Sequence, residues 1–377
     1  MREPVIALAA GGTGGHMFPA EALARELLRR GCRVVLITDR RGQAFGDRVP
    51  GVALHRIRAG RLGAGLAGKI AALAETALGT LAAARLLRLL KPASVVGFGG
   101  YPSLPTMLAA TRLGMPTLLH EQNALLGRAN RLIAPRVGRI ATSFAAVGGL
   151  READRGRVVE TGNPVRDAVA AMRFAPYAPP QAEGPLHLLV TGGSQGARIL
   201  GVVVPGALAQ LPPALRRRLV VTQQARSEDL EAARHTYAAS GIAAETAAFF
   251  DDIPARLARA QLVICRAGAS TVAELAVVGR PAILVPYRYA AEDHQTANAN
   301  GFAAAGAAWV MPEAELTPAL LAERIAALLA APAELAAAAA AAQRLGRPDA
   351  AARLADLVIA AAGGSNGDAE LPREKAA

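Results

Sequence analysis

The sequence of 377 residues predicts an α/β protein made of two Rossmann-like, doubly wound parallel-sheet domains facing a cleft. Two glycine-rich loops, one in each half of the chain, carry that expectation. Gly11-Gly12-Thr13-Gly14-Gly15-His16 follows the apolar run Val5-Ile6-Ala7-Leu8, and Gly192-Gly193-Ser194-Gln195-Gly196 follows Leu186-His187-Leu188-Leu189-Val190. A strand, a glycine turn and a helix in succession present unpaired backbone N–H groups and the positive end of a helix to an anion. Length agrees, being too great for one ordinary domain. A hydrophobic fraction of 52% supplies the continuous apolar runs that buried parallel strands require.

The elements follow in order. After the first loop, Pro19 marks a helix start, Ala20 to Arg30 carries helical periodicity, and Gly31 ends it. Arg33 to Thr38 reads as the second strand. Ala64 to Leu90 has Leu66, Ile70, Leu73, Ala77 and Leu81 at helical spacing. Ser94 to Gly97 is a strand running into a second glycine turn, Gly97-Phe98-Gly99-Gly100-Tyr101. Pro116 to Asn123 is a strand ending in the polar cluster His120-Glu121-Gln122-Asn123, where open α/β sheets place ligands. The turn Gly162-Asn163-Pro164-Val165-Arg166 sets the boundary between domains at 1–162 and 163–362, with the last helix free to pack back on the first domain. Ala175 to Pro185 reads as a surface excursion. Strands are expected at Leu186–Thr191, Leu219–Thr222, Gln261–Cys265 and Pro281–Pro286, with helices between. Residues 363–377 are polar, without periodicity, and read as a disordered tail.

Composition narrows the function classes. The net charge of +12 comes mostly from arginine and reads either as a solvated surface bias or as attraction to an anionic surface. Aromatics are only 4% and no basic stretch is interleaved with them, so a membrane is favoured over nucleic acid. The two cysteines, Cys32 and Cys265, form no CxxC or Cys/His cluster, which leaves neither a disulfide framework nor a zinc site. Met1-Arg2-Glu3-Pro4 enters a strand without a secretory apolar region. No uninterrupted apolar stretch approaches the ~18–20 residues of a membrane span except the weakly apolar alanine-rich one near Ala333, read as a helix. A soluble, cytoplasmic fold is expected.

A dinucleotide dehydrogenase competes for the first loop. Its G-x-G-x-x-G/A fingerprint, aligned on Gly12 and Gly14, puts Met17 where a small residue must pack, although Asp39 does follow the second strand as a ribose-binding acid would. The ordered set of motifs downstream points elsewhere. It comprises Gly97–Tyr101, His120–Asn123, Gly162–Arg166, Gly192–Arg198, Cys265-Arg266-Ala267-Gly268-Ala269-Ser270-Thr271 and Asp293-His294-Gln295. With the first loop this set closely resembles the MurG family of bacterial glycosyltransferases, from Ala9 to about Ala360.

That resemblance implies the two-domain GT-B architecture. It implies a C-terminal domain for the UDP-N-acetylglucosamine donor and an N-terminal domain facing undecaprenyl-pyrophosphoryl-N-acetylmuramyl-pentapeptide, the lipid acceptor. It implies transfer of N-acetylglucosamine in peptidoglycan synthesis on the cytoplasmic face of the cell membrane, with cell-wall and division proteins as partners and no cofactor. Carried over position by position, Thr13, Gly14 and Gly15 lie against the donor's sugar-phosphate, and Asn123 hydrogen-bonds the N-acetylglucosamine. Arg166 and Ser194 hold the diphosphate, with Ala269, Ser270 and Thr271 in the same donor site. Glu274 meets the ribose and Gln295 the sugar, His294 being one residue away in a loop of variable length. Phe250 offers a backbone group to uracil.

The residues themselves support these roles unequally. A hydroxyl such as Ser194 inside a glycine loop is a common phosphate ligand but can also close a turn. Arg166 reads equally as a phosphate contact or a surface arginine. Thr271-Val272-Ala273-Glu274 fits a capping box, which needs no ligand. Polar side chains ending a buried strand, as at Asn123, are hard to explain by packing. Converting an α-linked donor to a β-linked product is one inverting displacement, needing a base for the acceptor hydroxyl and positive charge for the departing diphosphate. His16 is the expected base and Glu121 the second candidate. Glycine-loop N–H groups, a helix N-terminus and Arg166 meet the charge requirement without a metal, and no DxD-like site lies near a strand end. Two other readings remain, a UDP-sugar 2-epimerase-like enzyme and a non-catalytic UDP-sugar-binding scaffold. For the membrane, Ala64 to Lys91 is the candidate surface, with Leu66, Ile70 and Leu73 flanked by Arg61, Lys69, Arg85, Arg88 and Lys91; the same stripe also reads as the core face of a helix packed on the sheet.

Overall fold

In the computed structural model the described residues are 3–12, 14–39, 49–60, 65–193 and 196–363, with the side chains of 66 and 67 excepted. Thr13, Ser194, Arg61, the Leu66 side chain and the tail 364–377 therefore lie outside them. The chain forms two units. One comprises 1–122, 126–164 and the residues from 349 onward; the other comprises 123–125 and 165–348.

The first unit lays its apolar runs side by side as β1 (Val5–Ala9), β2 (Arg33–Thr38), β3 (Ala53–Arg56), β4 (Ser94–Gly97), β5 (Thr117–Glu121), β6 (Arg139–Thr142) and β7 (Val158–Glu160). The sheet is parallel in the order β3-β2-β1-β4-β5-β6-β7. Alternate residues feed opposite faces, as a period of two requires. Ile6, Leu8, Leu36 and Val96 pack with α1 (Gly14–Arg29), while Ala7, Ala9, Ile37 and Val95 pack with α2 (Gly65–Leu90) and α3 (Leu104–Arg112). A short α4 (Arg128–Ile133) completes this part of the chain.

The second unit opens with α5 (Asp167–Ala170) and builds β8 (Leu186–Thr191), α6 (Arg198–Ala209), α7 (Pro213–Arg216), β9 (Leu219–Gln224), α8 (Leu230–Ala239) and β10 (Ala243–Ala247). It continues with α9 (Ile253–Arg259), β11 (Leu262–Cys265), α10 (Ala269–Val278), β12 (Ala282–Leu284), α11 (His294–Ala304), β13 (Ala308–Val310), α12 (Pro318–Leu329) and α13 (Pro332–Leu345). Its parallel sheet runs β10-β9-β8-β11-β12-β13. Both units thus reverse strand order beside their first strand. That switch point is where this architecture leaves an opening at the carboxyl ends of the strands.

The excursion at 175–185 is strapped down. Buried Arg280 donates to the carbonyls of Pro176, Leu257, Val278 and Gly279, and Tyr177 donates to the Gln261 carbonyl at 2.9 Å.

The final helix α14 (Ala350–Gly363) belongs to the first unit, so the division between the units is discontinuous. Leu354, Ala355 and Val358 join the core beneath α1, and Arg30 binds Asp356 and the Ala352 carbonyl. The first helix begins at Gly14 and not after Pro19, so its free N–H groups open from the glycine loop itself.

A second change concerns α2. Its segment Gly68–Leu90 is, by length and composition, long and apolar enough to cross a membrane, contrary to the expectation of no such stretch outside the Ala333 region. Nor do Ile70 and Leu73 form its core face. They are 61% and 72% exposed, as is Leu81 at 61%, while Ala72, Gly79, Ala83 and Leu87 are buried. Close backbone approach explains this. A Cβ on Gly60 would stand 2.1 Å from the Ala72 carbonyl oxygen, and one on Gly79 would stand 2.0 Å from that of Arg58. Small residues face the protein, so the large apolar ones face out.

Candidate active site

In the first unit, the carboxyl ends of β1, β4 and β5 bring three polar or glycine-rich segments together. Gly11 fits only without a side chain, since a Cβ would meet Pro102 Cβ at 2.6 Å and Thr38 Oγ1 at 2.9 Å. Gly100, at φ 73°, lies against His16, and a Cβ there would come 3.2 Å from Cδ2 and 3.4 Å from Nε2 of the imidazole. His16, in the first turn of α1, is half-buried and places Nδ1 2.9 Å from Gln122 Oε1. Gln122 Nε2 in turn donates to the His120 carbonyl at 3.0 Å and lies 2.9 Å from His120 Nδ1. His120 Nε2 reaches the Gly162 carbonyl at 3.1 Å, and Phe98 packs against its ring at a centroid distance of 5.5 Å.

Full burial depresses His120 to about 4, so its neutral form is the folded one. The folded value lies below the ordinary 6.5, so this contribution to stability is complete above 6.5 and is lost as pH falls toward 4. We expect the unfolding free energy of the wild type to drop by about 3 kcal/mol more than that of His120→Asn across this window. Urea titrations of both proteins at the two ends of the window check it, and equal losses would show that His120 is not the buried titrating group.

Glu121 is placed differently from its expected role as second candidate base. It is buried, and its Oε2 accepts from Gly127 N at 3.0 Å and from Asn130 Nδ2 at 2.8 Å. These contacts tie the carboxylate to the start of α4 and hold the loop that follows β5.

The second unit gathers most of the remaining predicted residues. Asn123 belongs here and not with the strand that precedes it, because buried Asn298 on α11 donates to Asn123 Oδ1 at 3.1 Å and to the Ala267 carbonyl at 3.0 Å, and accepts from Ala124 N at 2.8 Å. Gln295, one turn earlier on the same helix, accepts from Ala267 N at 3.2 Å and Tyr287 N at 3.0 Å. His294 instead closes a local contact to the Ala291 carbonyl at 2.7 Å, so of the two it is Gln295 that joins the β11 loop.

That loop leads through Gly268 into α10, whose first residues are Ala269, Ser270 and Thr271. Among the described residues no side chain caps this helix, and Ser270 Oγ is buried without a hydrogen-bond partner. The capping-box alternative for Glu274 does not form. Its Oε1 accepts instead from Arg166 Nη2 at 2.9 Å and Nε at 3.2 Å. Burial pushes the Glu274 carboxyl above its ordinary range, and the Arg166 charge and hydrogen bonds pull it back.

Around β8, Gly192 makes a turn so tight that a Cβ would lie 2.2 Å from Ala197 N, and Gly193 donates to Thr191 Oγ1 at 3.3 Å. The Phe250 side chain is buried beneath Arg256, whose guanidinium carbon stands 4.2 Å from the ring centroid.

Gln122, His120, Gly100 and Asn298 were not singled out as site residues. A signal existed for Asn298, since Gln295 and Asn298 stand three apart and so share one face of a helix. The contact of Gln122 with His16 joins residues 106 positions apart and leaves no local trace.

Two parallel-sheet units, each with a glycine turn at its switch point, form a two-domain nucleotide-binding architecture, and the family matches make it that of a glycosyltransferase. Residues 6–142 match the glycosyltransferase family 28 N-terminal domain and residues 187–354 its C-terminal domain. A UDP-N-acetylglucosamine–N-acetylmuramyl-(pentapeptide) pyrophosphoryl-undecaprenol N-acetylglucosamine transferase of Rhodospirillum centenum is 61% identical, over 96% of both chains. The enzyme of the same name from Rhodospirillum rubrum is 57% identical, over 95% of this chain and 92% of its own. The crystal structure of Acinetobacter baumannii MurG superposes with a TM-score of 0.78 at 31% identity, covering 94% of this chain and 99% of that one. The chain belongs to the MurG family within glycosyltransferase family 28.

Proposed function

We propose that the chain transfers N-acetylglucosamine from UDP-N-acetylglucosamine to the muramyl sugar of undecaprenyl-pyrophosphoryl-N-acetylmuramyl-pentapeptide, releasing UDP. The observation that carries this reading is 61% identity along almost the whole length to a transferase whose name states these substrates. The second unit takes the donor. Arg166, oriented by Glu274, and the N–H groups that open α10 at Ala269, Ser270 and Thr271 supply positive potential for the diphosphate. The unpartnered Ser270 hydroxyl is a ready ligand for the same group, with Ser194 contributing from the other glycine loop. Glu274 shares its carboxylate with the ribose, the Phe250 backbone meets uracil, and Gln295 and Asn123 meet the sugar.

The first unit takes the acceptor. Its first glycine loop, with Thr13, Gly14 and Gly15, meets the donor's sugar-phosphate, and His16 removes the acceptor's hydroxyl proton as the oxygen attacks the anomeric carbon and UDP leaves in one inverting step. UDP release is the test. It should require the lipid-linked acceptor, whereas conversion of the donor without acceptor would indicate an epimerase, and binding without release a scaffold. The diphosphate charge is met by protein donors alone, so turnover in EDTA should equal turnover in its absence. A loss restored by magnesium would contradict that.

An acceptor with a polyprenyl tail stays in the bilayer, so the enzyme meets it at the membrane surface. The exposed apolar residues Ile70, Leu73 and Leu81 of α2, with Lys69, Arg85 and Arg88 also exposed on the helix, form the contact. Each well-placed cation adds about 1 kcal/mol on anionic lipid. Replacing these three cations by glutamine should weaken co-sedimentation with anionic vesicles and leave neutral ones unaffected. Binding indifferent to both salt and the substitutions would move the membrane face elsewhere.

A further inference from the structure

The contacts around His16 have a direction. The Gly162 carbonyl can only accept, so His120 carries its proton on Nε2. His120 is neutral when buried, which leaves Nδ1 bare and able only to accept. The amide of Gln122 is thereby oriented. Its NH2 group serves two acceptors, His120 Nδ1 at 2.9 Å and the His120 carbonyl at 3.0 Å, and a flipped amide would set its oxygen against both. Gln122 Oε1 consequently faces His16, and a carbonyl oxygen 2.9 Å from Nδ1 demands a hydrogen there. The lone pair of neutral His16 then resides on Nε2. Gly100 lies along that edge of the ring, where a Cβ would come 3.4 Å from Nε2 and crowd it.

We infer that Gln122 and His120 are positioning residues that hold His16 as the Nδ1–H tautomer, with Nε2 bare, through a chain of hydrogen bonds anchored on the Gly162 carbonyl. The inference rests on the reading of His16 as the base, for which only a bare Nε2 can take the acceptor's proton. An unrestrained imidazole side chain prefers its hydrogen on Nε2, the wrong nitrogen for this step. Gln122 reverses that preference before any ligand binds.

The tautomer is measurable in the resting full-length protein by long-range 1H–15N correlation after 15N-histidine labelling, with His16 assigned by its loss in His16→Ala. Expected in the wild type are Nδ1–H at His16 and Nε2–H at His120. In Gln122→Met, His16 should move to the Nε2–H form while His120 keeps its own. Turnover should then fall on the order of 10²-fold, with donor KM little changed. A wild-type His16 protonated on Nε2, or a Gln122→Met protein that keeps Nδ1–H and full turnover, overturns the inference. The wild-type spectrum decides the tautomer without reference to catalysis. Loss of the base role, seen as normal turnover in His16→Ala, is thus distinguishable from failure of the tautomer assignment.

Discussion

His16→Ala lowers kcat by about 10²–10⁴-fold and leaves UDP affinity near that of the wild type. The size follows from what is removed. An acceptor hydroxyl without a base must lose its proton to water while the sugar–phosphate bond breaks, and proton transfer by a positioned imidazole contributes in this range. Its selectivity follows from placement, since His16 stands in the first unit and the proposed ligands of the uridine and most of those of the diphosphate stand in the second. The fold should tolerate the change, because His16 is only half-buried and its removal exposes Gln122 Oε1 to water and not to an apolar core. Steady-state kinetics with both substrates varied, alongside UDP titration, check this. Unchanged kcat would take the base role away from His16 and turn attention to Glu121, the second candidate.

Arg166→Ala is expected to cost about 2–4 kcal/mol at the transition state, because the diphosphate gains charge as it departs and the contact proposed for this guanidinium strengthens with that charge. The pairing with Glu274 adds a second consequence. Alanine leaves a mostly buried carboxylate without its cation, and burial already pushes that carboxyl toward protonation. UDP affinity should therefore weaken along with kcat, unlike in His16→Ala. Adding Glu274→Gln to Arg166→Ala removes the stranded charge, so the double variant should recover thermal stability but not turnover. Recovery of turnover would mean that Arg166 serves only to neutralise Glu274, and that the diphosphate is held by other groups.

How far the sequence foretold this molecule depends on the range of the interactions involved. The strands β1, β2, β4, β5, β8, β9, β11 and β12 are apolar runs away from the sheet edges, and each was legible from its own residues. The strands β3, β6, β7, β10 and β13 were not. Four of them lie toward sheet edges with short mixed stretches such as Ala53-Leu54-His55-Arg56 and Ala243–Ala247, whose pairing depends on a neighbour already in place. The glycine turns were legible because only glycine satisfies their geometry, as the tight approach of Gly192 to Ala197 illustrates. The start of α1 was read too late because Pro19 is an ordinary sign of a first turn, whereas here it sits inside the helix. Spacing revealed the apolar stripe of α2 but not which side of the helix met the protein. That was decided by backbone contacts at Gly60 and Gly79, far from the stripe. Arg166 and Glu274, 108 residues apart, were both chosen as ligands, and nothing local announced that they bind each other.

Transfer of label tests the central claim most directly. UDP-N-acetylglucosamine labelled in the sugar is incubated with the full-length protein and the lipid-linked muramyl-pentapeptide, and the lipid phase is extracted. Label should enter the lipid phase as a β-linked disaccharide, mole for mole with UDP released, and only when acceptor is present. Label that stays in the nucleotide, or appears as free or epimerised sugar at the same rate without acceptor, would contradict the account.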